Sequence, residues 1–183
     1  MLNDGYIFLE GELQRANQKI HRKISDLSWK KLSLLRVDKL NWLDDEQVRL
    51  FVECYNRTFL VAPDPFRPIL PEEAVAIAND AITFVAYLYG RMVGFIVCYM
   101  TEEEPSCGYI AGIGTIPERR KVGVATVLIL RAIEWFLAQG ALRLRCEVHE
   151  DNTISFKLFE SHGFKPVDSG ISSRDSVSSY VSA

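Results

Sequence analysis

Arg119, Arg120 and Lys121 form a basic run directly before a glycine-bearing turn at the start of a predicted helix. Gly123 and Ala125 carry little or no side chain, so a ligand can closely approach the backbone N–H groups of this turn. Unpaired N–H groups, the positive end of the helix dipole and the basic side chains together predict an anion site suited to a phosphate or pyrophosphate. The spacing matches neither a P-loop nor the dinucleotide-binding glycine pattern, and a solvated basic turn capping a core helix is the alternative.

Strands and helices alternate around this turn. A strand is predicted over residues 109–116, and the helix over 123–139 is apolar almost all round, which predicts that it lies buried against a sheet. A strand over 142–148 and a short helix over 153–161 follow, and a further strand begins after the helix-ending glycine. The serine-rich tail, residues 169–183, is either disordered or adds an edge strand.

The first half of the chain is expected to be largely antiparallel. Its elements are an amphipathic helix over 11–28, a strand over 32–38, a helix over 45–59 capped by Asp44 or Asp45, a proline-rich loop at 62–71, a helix from Pro71 to 79, and strands at 82–89 and 92–100. The short turn between the last two strands predicts a hairpin. These patterns together predict a mixed α/β domain.

Composition narrows the class of protein further. The 183 residues are 48% apolar and carry a formal net charge of −3, which is typical of a globular domain and predicts no broad nucleic-acid surface. Neither a transmembrane segment nor a signal peptide is predicted, so no membrane partner is expected. The cysteines lack C-x-x-C spacing and are expected to be buried, reduced thiols, which suits the cytoplasm and predicts no metal site: Cys54, Cys98, Cys107 and Cys146.

Two motifs together resemble the GNAT superfamily of N-acetyltransferases. A strand, a proline, the basic run and Arg120-x-x-Gly123-x-Ala125 opening a helix are similar to the acetyl-CoA signature of that family. The downstream segment 147–167 is similar to the family's next strand, its asparagine, its short helix and a closing Gly-Phe pair.

The resemblance also covers the order of elements from about residue 32 to the C-terminus. It implies an α/β (α+β) fold with a mixed, mostly antiparallel central sheet flanked by helices. The acetyltransferase domain would then span residues 32–183, and residues 1–31 would form an N-terminal helical extension.

The resemblance implies direct acetyl transfer from acetyl-CoA to a primary amine through a ternary complex, without a covalent enzyme intermediate. Backbone N–H groups of 121–126 would hold the pyrophosphate, and the edge of strand 113–116 would pair with the pantetheine arm. The backbone N–H of Gly114 would act as oxyanion donor, and Asn152 would contact the pantetheine arm or else cap a helix. The implied cofactor contacts are Ile113, Gly114, Thr115, Ile116, Arg119, Arg120, Lys121, Val122, Gly123, Val124, Ala125, Thr126, Asn152 and Phe159.

The sequence departs from the family pattern at two catalytic positions. Phe159 stands where many members carry a tyrosine that protonates the leaving thiolate. The strand before the basic run holds no glutamate, whereas members often place their general base there. Glu147 and His149 are the predicted catalytic side chains instead, with Glu150 and Tyr109 as further candidates.

The acceptor is expected near the first two helices of the domain, with Tyr55, Phe59, Phe66 and Arg67 as candidate lining residues. The acidic turn 102–104 would attract a cationic acceptor or would simply be solvated. Protein N-termini, lysine, polyamines, amino sugars and antibiotics all fit the chemistry, and homodimers are expected because the family often dimerises.

Two alternative functions remain open. The first is a CoA-binding sensor or interaction domain with little catalysis. The second is a transferase that uses a longer acyl-CoA, for which the small residues Gly112 and Gly114 would leave room.

Overall fold

A seven-stranded sheet forms the centre of the chain in a computed structural model, which describes residues 5–26, 33–63, 66–76 and 81–168. The strands are β1 (Tyr6–Glu12), β2 (Leu35–Lys39), β3 (Ile82–Leu88), β4 (Arg91–Met100), β5 (Cys107–Thr115), β6 (Arg143–His149) and β7 (Lys165–Val167). The helices are α1 (Leu13–Asp26), α2 (Asp45–Phe59), α3 (Pro71–Ala76), α4 (Val124–Ala138) and α5 (Thr153–Ser161), and a short 3-10 helix covers Pro117–Arg119.

The strand order is β2-β3-β4-β5-β6-β1-β7. Every neighbouring pair is antiparallel except β5 and β6, which run parallel on either side of the helical connection through α4. This topology confirms the expected mixed, mostly antiparallel sheet flanked by helices. No helix among the described residues is long and apolar enough to cross a membrane.

The N-terminal segment contributes a strand as well as a helix, which corrects the description of residues 1–31 as a helical extension. β1 lies between β6 and β7 and pairs antiparallel with both, from Tyr6 opposite His149 to Glu12 opposite Arg143. The run Tyr-Ile-Phe-Leu-Glu carries the strand signal that the sequence reading missed. The domain boundary between residues 31 and 32 stays a prediction, and the sheet itself runs across it.

Helix α1 packs on the domain through its apolar stripe. Leu13, Ala16 and Ile20 are buried, and the helix contacts α4. Ile24 is partly buried, and Leu27, within the helix predicted over 11–28, lies outside the described residues, as do residues 77–79 of the helix predicted from Pro71 to 79 and the tail 169–183.

Helices cover the two faces of the sheet differently. Helix α4 lies on one face, where Gly94 and Gly108 leave room for Leu128 and Phe136. Helix α2 lies on the opposite face, with α3 beside it, and rests on Phe95 and on β5. Helix α2 begins at the predicted cap, because the Asp44 carboxylate accepts hydrogen bonds from two backbone N–H groups of the first turn.

Candidate active site

The basic turn leads into α4 with an unusual backbone. Lys121 has φ 62° and Gly123 has φ 92°, so the loop reverses twice through the left-handed region before the helix starts. Gly123 occupies the N-cap position, and no side chain caps the helix. The first helical hydrogen bond in this turn runs from the Val127 N–H to the Gly123 carbonyl at 3.1 Å. The N–H groups of Val124, Ala125 and Thr126 therefore lack an intrahelical acceptor, as an anion site requires.

The three basic side chains before this helix do not play the same role. Arg119 and Lys121 are exposed, whereas Arg120 is partly buried. The Nε of Arg120 donates to the Thr115 carbonyl and its Nη2 donates to the Thr58 carbonyl, each at 3.3 Å. The first residue of the signature therefore directs these two donors at the protein backbone.

Strands β5 and β6 separate about halfway along β5. Their pairing ends at Ile110, which lies opposite Cys146. At this point β5 also carries a bulge, because Val97 and Cys98 of β4 lie opposite Gly112 and Ile110, leaving Ala111 as the extra residue. Beyond the bulge, no described strand pairs with the β6-facing edge of β5.

The alternation of hydrogen bonds along β5 corrects the predicted oxyanion donor. The N–H of Ile116 donates to the Val93 carbonyl of β4 at 3.0 Å. In an antiparallel pair, every second residue bonds to the same neighbour, so the N–H of Gly114 also points to β4. The N–H groups of Ile113 and Thr115 point to the open edge instead, and the outward Thr115 carbonyl accepts from Arg120.

Of Gly112 and Gly114 in β5, only Gly112 leaves space. A Cβ at Gly114 would lie 2.5 Å from Cγ2 of Thr58, whereas a Cβ at Gly112 would have nothing within 4 Å. The space beside Gly114 is therefore filled by Thr58 of α2. The expectation that both glycines leave room for a longer acyl chain is thus wrong for Gly114.

Glu147 and His149 are two positions apart in β6, so their side chains lie on the same side of the strand. The side chain of His149 is 14% exposed, its ring packs edge-on against Tyr6, and its Nδ1 accepts a hydrogen bond from the Asp151 N–H at 3.3 Å. A base needs a lone pair, and this contact occupies the one on Nδ1. Glu147 is partly exposed and lies next to the point where β5 and β6 separate.

Tyr109 is a poor candidate for the general base, because its hydroxyl belongs to a network of charged side chains on the sheet face that carries α2. Its hydroxyl donates to the Glu104 carboxylate at 2.7 Å, and Glu104 also pairs with Arg143 and Arg145, each at 2.7 Å. Burial, and then the bond to Glu104, raise the pKa of Tyr109 well above its usual value. Glu10 of β1 closes the network with a 2.6 Å contact to Arg145. The acidic turn is thus anchored by Glu104, while its other two glutamates are exposed.

Asn152 and Phe159 both serve the local fold of α5. The Oδ1 of Asn152 accepts from the Ser155 N–H at 3.0 Å and caps the helix, as the alternative reading expected. Phe159 is 2% exposed and packs edge-on against Phe164. We correct its assignment as a cofactor contact, because a side chain enclosed in the core cannot reach a ligand.

The cysteines are buried, and burial raises their pKa values, to about 12 for Cys54 and about 11 for Cys107. The pKa values of Cys98 and Cys146 are raised for the same reason. A neutral, enclosed thiol is a poor nucleophile. In the described part of the chain, no cluster of three or more His, Cys, Asp or Glu side chains is arranged to hold a metal ion.

An aromatic wall lines α2 on the side of the proline-rich loop. Tyr55 lies 4.7 Å from Phe59 between ring centroids, and Phe66 stacks on Phe59 at 6.2 Å. All three rings are only partly buried. The fourth predicted lining residue, Arg67, pairs with Glu73 of α3 at 2.8 Å.

The chain is similar in sequence to known acetyltransferases. Two curated relatives are an L-2,4-diaminobutyric acid acetyltransferase from Nocardia farcinica, 30% identical over 77 residues, and the N-alpha-acetyltransferase MAK3 of Arabidopsis thaliana, 32% identical over 84 residues. These matches cover 42% and 45% of this chain, and only 40% and 44% of the relatives' own lengths.

A solved structure shows the same fold. The PaiA N-acetyltransferase from Thermoplasma acidophilum, in complex with coenzyme A, superposes with a TM-score of 0.57 at 20% identity, over 75% of this chain and 94% of that one. The sequence model described as the acetyltransferase (GNAT) family matches residues 40–164, which is more than half of the chain. The chain therefore belongs to the GNAT family of acetyltransferases.

Proposed function

We propose that this protein transfers an acetyl group from acetyl-CoA directly to a primary amine within a ternary complex. The observation that carries the proposal is a track of backbone N–H donors, interrupted at Ile116, Arg119 and Arg120, whose N–H groups bond to other carbonyls. It runs along the open edge of β5, at Ile113 and Thr115, and ends at the uncapped start of α4. An extended thioester arm that ends in a pyrophosphate matches such a track in both shape and charge.

Acetyl-CoA would lie along this track in one orientation. Its pyrophosphate would accept hydrogen bonds from the N–H groups of 121–126, assisted by the exposed Arg119 and Lys121. Its pantetheine arm would add to β5 as an extra strand in the gap beside β6. The N–H of Ile113, which points into that gap, replaces Gly114 as our proposed oxyanion donor.

The amine must lose a proton before it attacks the thioester carbonyl. For an amine with a pKa of about 10, reaching the neutral form at pH 7 costs about 4 kcal/mol. We assign this proton to Glu147, because it is the first residue of β6 beyond its last pair with β5 and is partly exposed there. The departing CoA thiolate is stable enough to leave without a tyrosine acid at residue 159.

The acceptor would enter between the aromatic wall and Gly112, over which the α2 face is open. The two curated relatives are named for a diamino acid and for protein N-termini, so both kinds of primary amine belong in an acceptor panel. The buried cysteines, with their raised pKa values, support direct transfer over a covalent enzyme intermediate.

The test measures acetyl-CoA binding by calorimetry and CoA thiol release across a panel of amino acids, peptides, polyamines and aminoglycosides. We expect binding that requires the α4 turn, and thiol release with at least one amine. Absence of acetyl-CoA binding would overturn the proposal.

A CoA-binding sensor is the second candidate, and the enclosed Phe159 favours it because no tyrosine acid is available there. Tight binding with no thiol release for any acceptor would identify the sensor. A longer acyl-CoA remains a third candidate, for which the open space at Gly112 provides room. Comparing acetyl-CoA with butyryl-CoA and octanoyl-CoA in the same assay separates it from acetyl transfer.

Cytoplasmic residence and a homodimeric state are proposals of the same kind, which rest on the family resemblance and on the reduced cysteines. Light scattering during gel filtration measures the oligomeric state, and cell fractionation tests the location.

A further inference from the structure

The C-terminal turn of α2 is joined to the basic turn before α4 by two side-chain contacts, one from Arg120 and one between Arg57 and Glu118. Thr58 lies one residue before the end of α2, and its carbonyl is among those that a helix leaves without an intrahelical partner. Arg120 Nη2 fills that position at 3.3 Å. Next to it, Arg57 Nη2 pairs with Glu118 Oε1 at 3.0 Å.

A single guanidinium group spans two elements here. Arg120 Nε bonds to the last carbonyl of β5, at Thr115, while Nη2 of the same planar group bonds to α2. Its own backbone N–H bonds to the Pro117 carbonyl at 3.3 Å. Because the guanidinium fork is rigid, a shift of the loop is passed to both carbonyls together.

The same turn of α2 also presses on β5 and carries part of the aromatic wall. Cγ2 of Thr58 occupies the space over Gly114, and Phe59, the next residue, packs at a tilt against Tyr55 and stacks on Phe66. Any movement of the loop that reaches Thr58 therefore also reaches the wall on the acceptor side.

We infer that Arg120 is a positioning residue that couples acetyl-CoA binding at the α4 turn to the placement of the acceptor wall on α2, with the Arg57–Glu118 pair as a second tie. This inference rests on the proposed cofactor site. When the cofactor fixes residues 120–126, the fork holds the end of α2 in one position, and the amine meets an ordered wall. By linkage, an amine that orders the wall raises the affinity for acetyl-CoA by the same factor.

Hydrogen exchange followed by mass spectrometry, with and without acetyl-CoA, tests the coupling. In the wild type we expect acetyl-CoA to slow exchange in residues 120–126 and also in 56–62, the latter by at least about fivefold. Arg120→Lys keeps the positive charge but loses the fork. It should keep slow exchange in 120–126 and lose the cofactor-dependent slowing in 56–62.

A double variant, Arg57→Met with Glu118→Gln, covers the case in which Arg120→Lys does not fold, because both side chains of this pair are largely exposed. It should reduce the slowing in 56–62. Arg49→Met is the matched control, since it removes an exposed ion pair with Glu46 from the same helix, and it should behave as the wild type.

The outcomes separate the inference from the function it rests on. Equal cofactor-dependent slowing of 56–62 in the wild type and in Arg120→Lys would overturn the coupling, as would slowing confined to 120–126 in the wild type. A purely structural role for Arg120 predicts faster exchange of 56–62 to the same degree with and without cofactor, and this result also overturns it. If acetyl-CoA fails to slow 120–126 in the wild type, the proposed cofactor site itself is wrong.

Discussion

Thr58 of α2 lies directly over Gly114 of β5, so closely that a Cβ at residue 114 would stand 2.5 Å from the threonine methyl group. The ring of Phe95 would lie 2.7 Å from that same Cβ at residue 114. The helix that carries the aromatic wall therefore rests on the strand that offers its edge to the cofactor, and a glycine sets their separation.

Gly114→Ala should destabilise the fold by about 1–3 kcal/mol, because the new methyl group has to push α2 or Phe95 away. Gly112→Ala is the matched control, since nothing lies within 4 Å of a Cβ there, and its unfolding free energy should stay within about 0.5 kcal/mol of the wild type. Urea denaturation measures both. Equal stability of the two variants would contradict the packing described for α2.

Ala125→Glu should raise the KM for acetyl-CoA about tenfold or more, because it places a carboxylate at the helix start that the pyrophosphate would occupy. Ala138→Glu makes the same change at the exposed far end of α4 and should leave that KM within about twofold, since the dipole effect there is small and distant. Steady-state thiol release measures both, and equal KM values would place the pyrophosphate elsewhere.

Glu147→Gln should lower kcat by about 100-fold or more, as expected for loss of a general base. The loss should shrink at high pH, where more of the amine is already neutral. Glu160→Gln, an exposed glutamate on α5, serves as the control and should keep the wild-type rate. A wild-type kcat and pH profile for Glu147→Gln would transfer the role to His149 or to solvent.

Glu104→Ala should cost about 1–3 kcal/mol of stability, because it removes the acceptor of the buried Tyr109 hydroxyl and one partner of Arg145, which is 15% exposed. Glu103→Ala, in the same turn but exposed, should change the unfolding free energy by less than about 0.5 kcal/mol. If the two variants unfolded at the same urea concentration, the network would contribute nothing to stability.

Stability should fall as the pH drops from 6.5 to 4 because of His162. Its imidazole is fully buried, Nδ1 lies 2.6 Å from the Leu158 carbonyl, and Nε2 has no hydrogen-bond partner among the described residues. Burial lowers its pKa from 6.5 to about 4. Between these values the unfolded chain binds the proton and the folded chain does not, so up to about 3 kcal/mol is lost on acidification.

Urea unfolding measured across this pH range checks the effect of His162. His162→Gln should flatten the profile, whereas His21→Gln, at an exposed site, should leave it unchanged. An NMR titration that finds the His162 imidazole ionising near pH 6.5 would contradict the expectation.

Most helices and strands could be predicted from short-range sequence patterns. The 45–59 helix and its aspartate cap, the 82–100 hairpin and the uncapped glycine turn before α4 all follow from residues within one or two turns of each other. Backbone propensity and capping act over that distance, so the sequence is enough to recognise them. The signature at Arg120, Gly123 and Ala125 belongs to this group, and with it the family.

Side-chain direction in β5 and β6 depends on pairing, which the sequence does not reveal. A one-residue bulge at Ala111 changes which β5 residues face α2. The pairing of β5 with β4 turns the Gly114 N–H away from the open edge, and Thr58 fills the space beside Gly114 but not the space beside Gly112. Phe159 likewise became a core residue once α5 packed against Phe164.

The sequence by itself determined the chemistry available to this protein, because a turn with small residues and basic neighbours can hold an anion wherever it lies in the fold. Only the tertiary structure placed β1 between β6 and β7, brought Glu10 and Glu104 onto Arg145, and turned Arg120 toward Thr58. The side-chain partners among them are 41 to 135 residues apart in the sequence. Contacts of this kind form through long-range strand pairing and packing, whose energies no local pattern encodes.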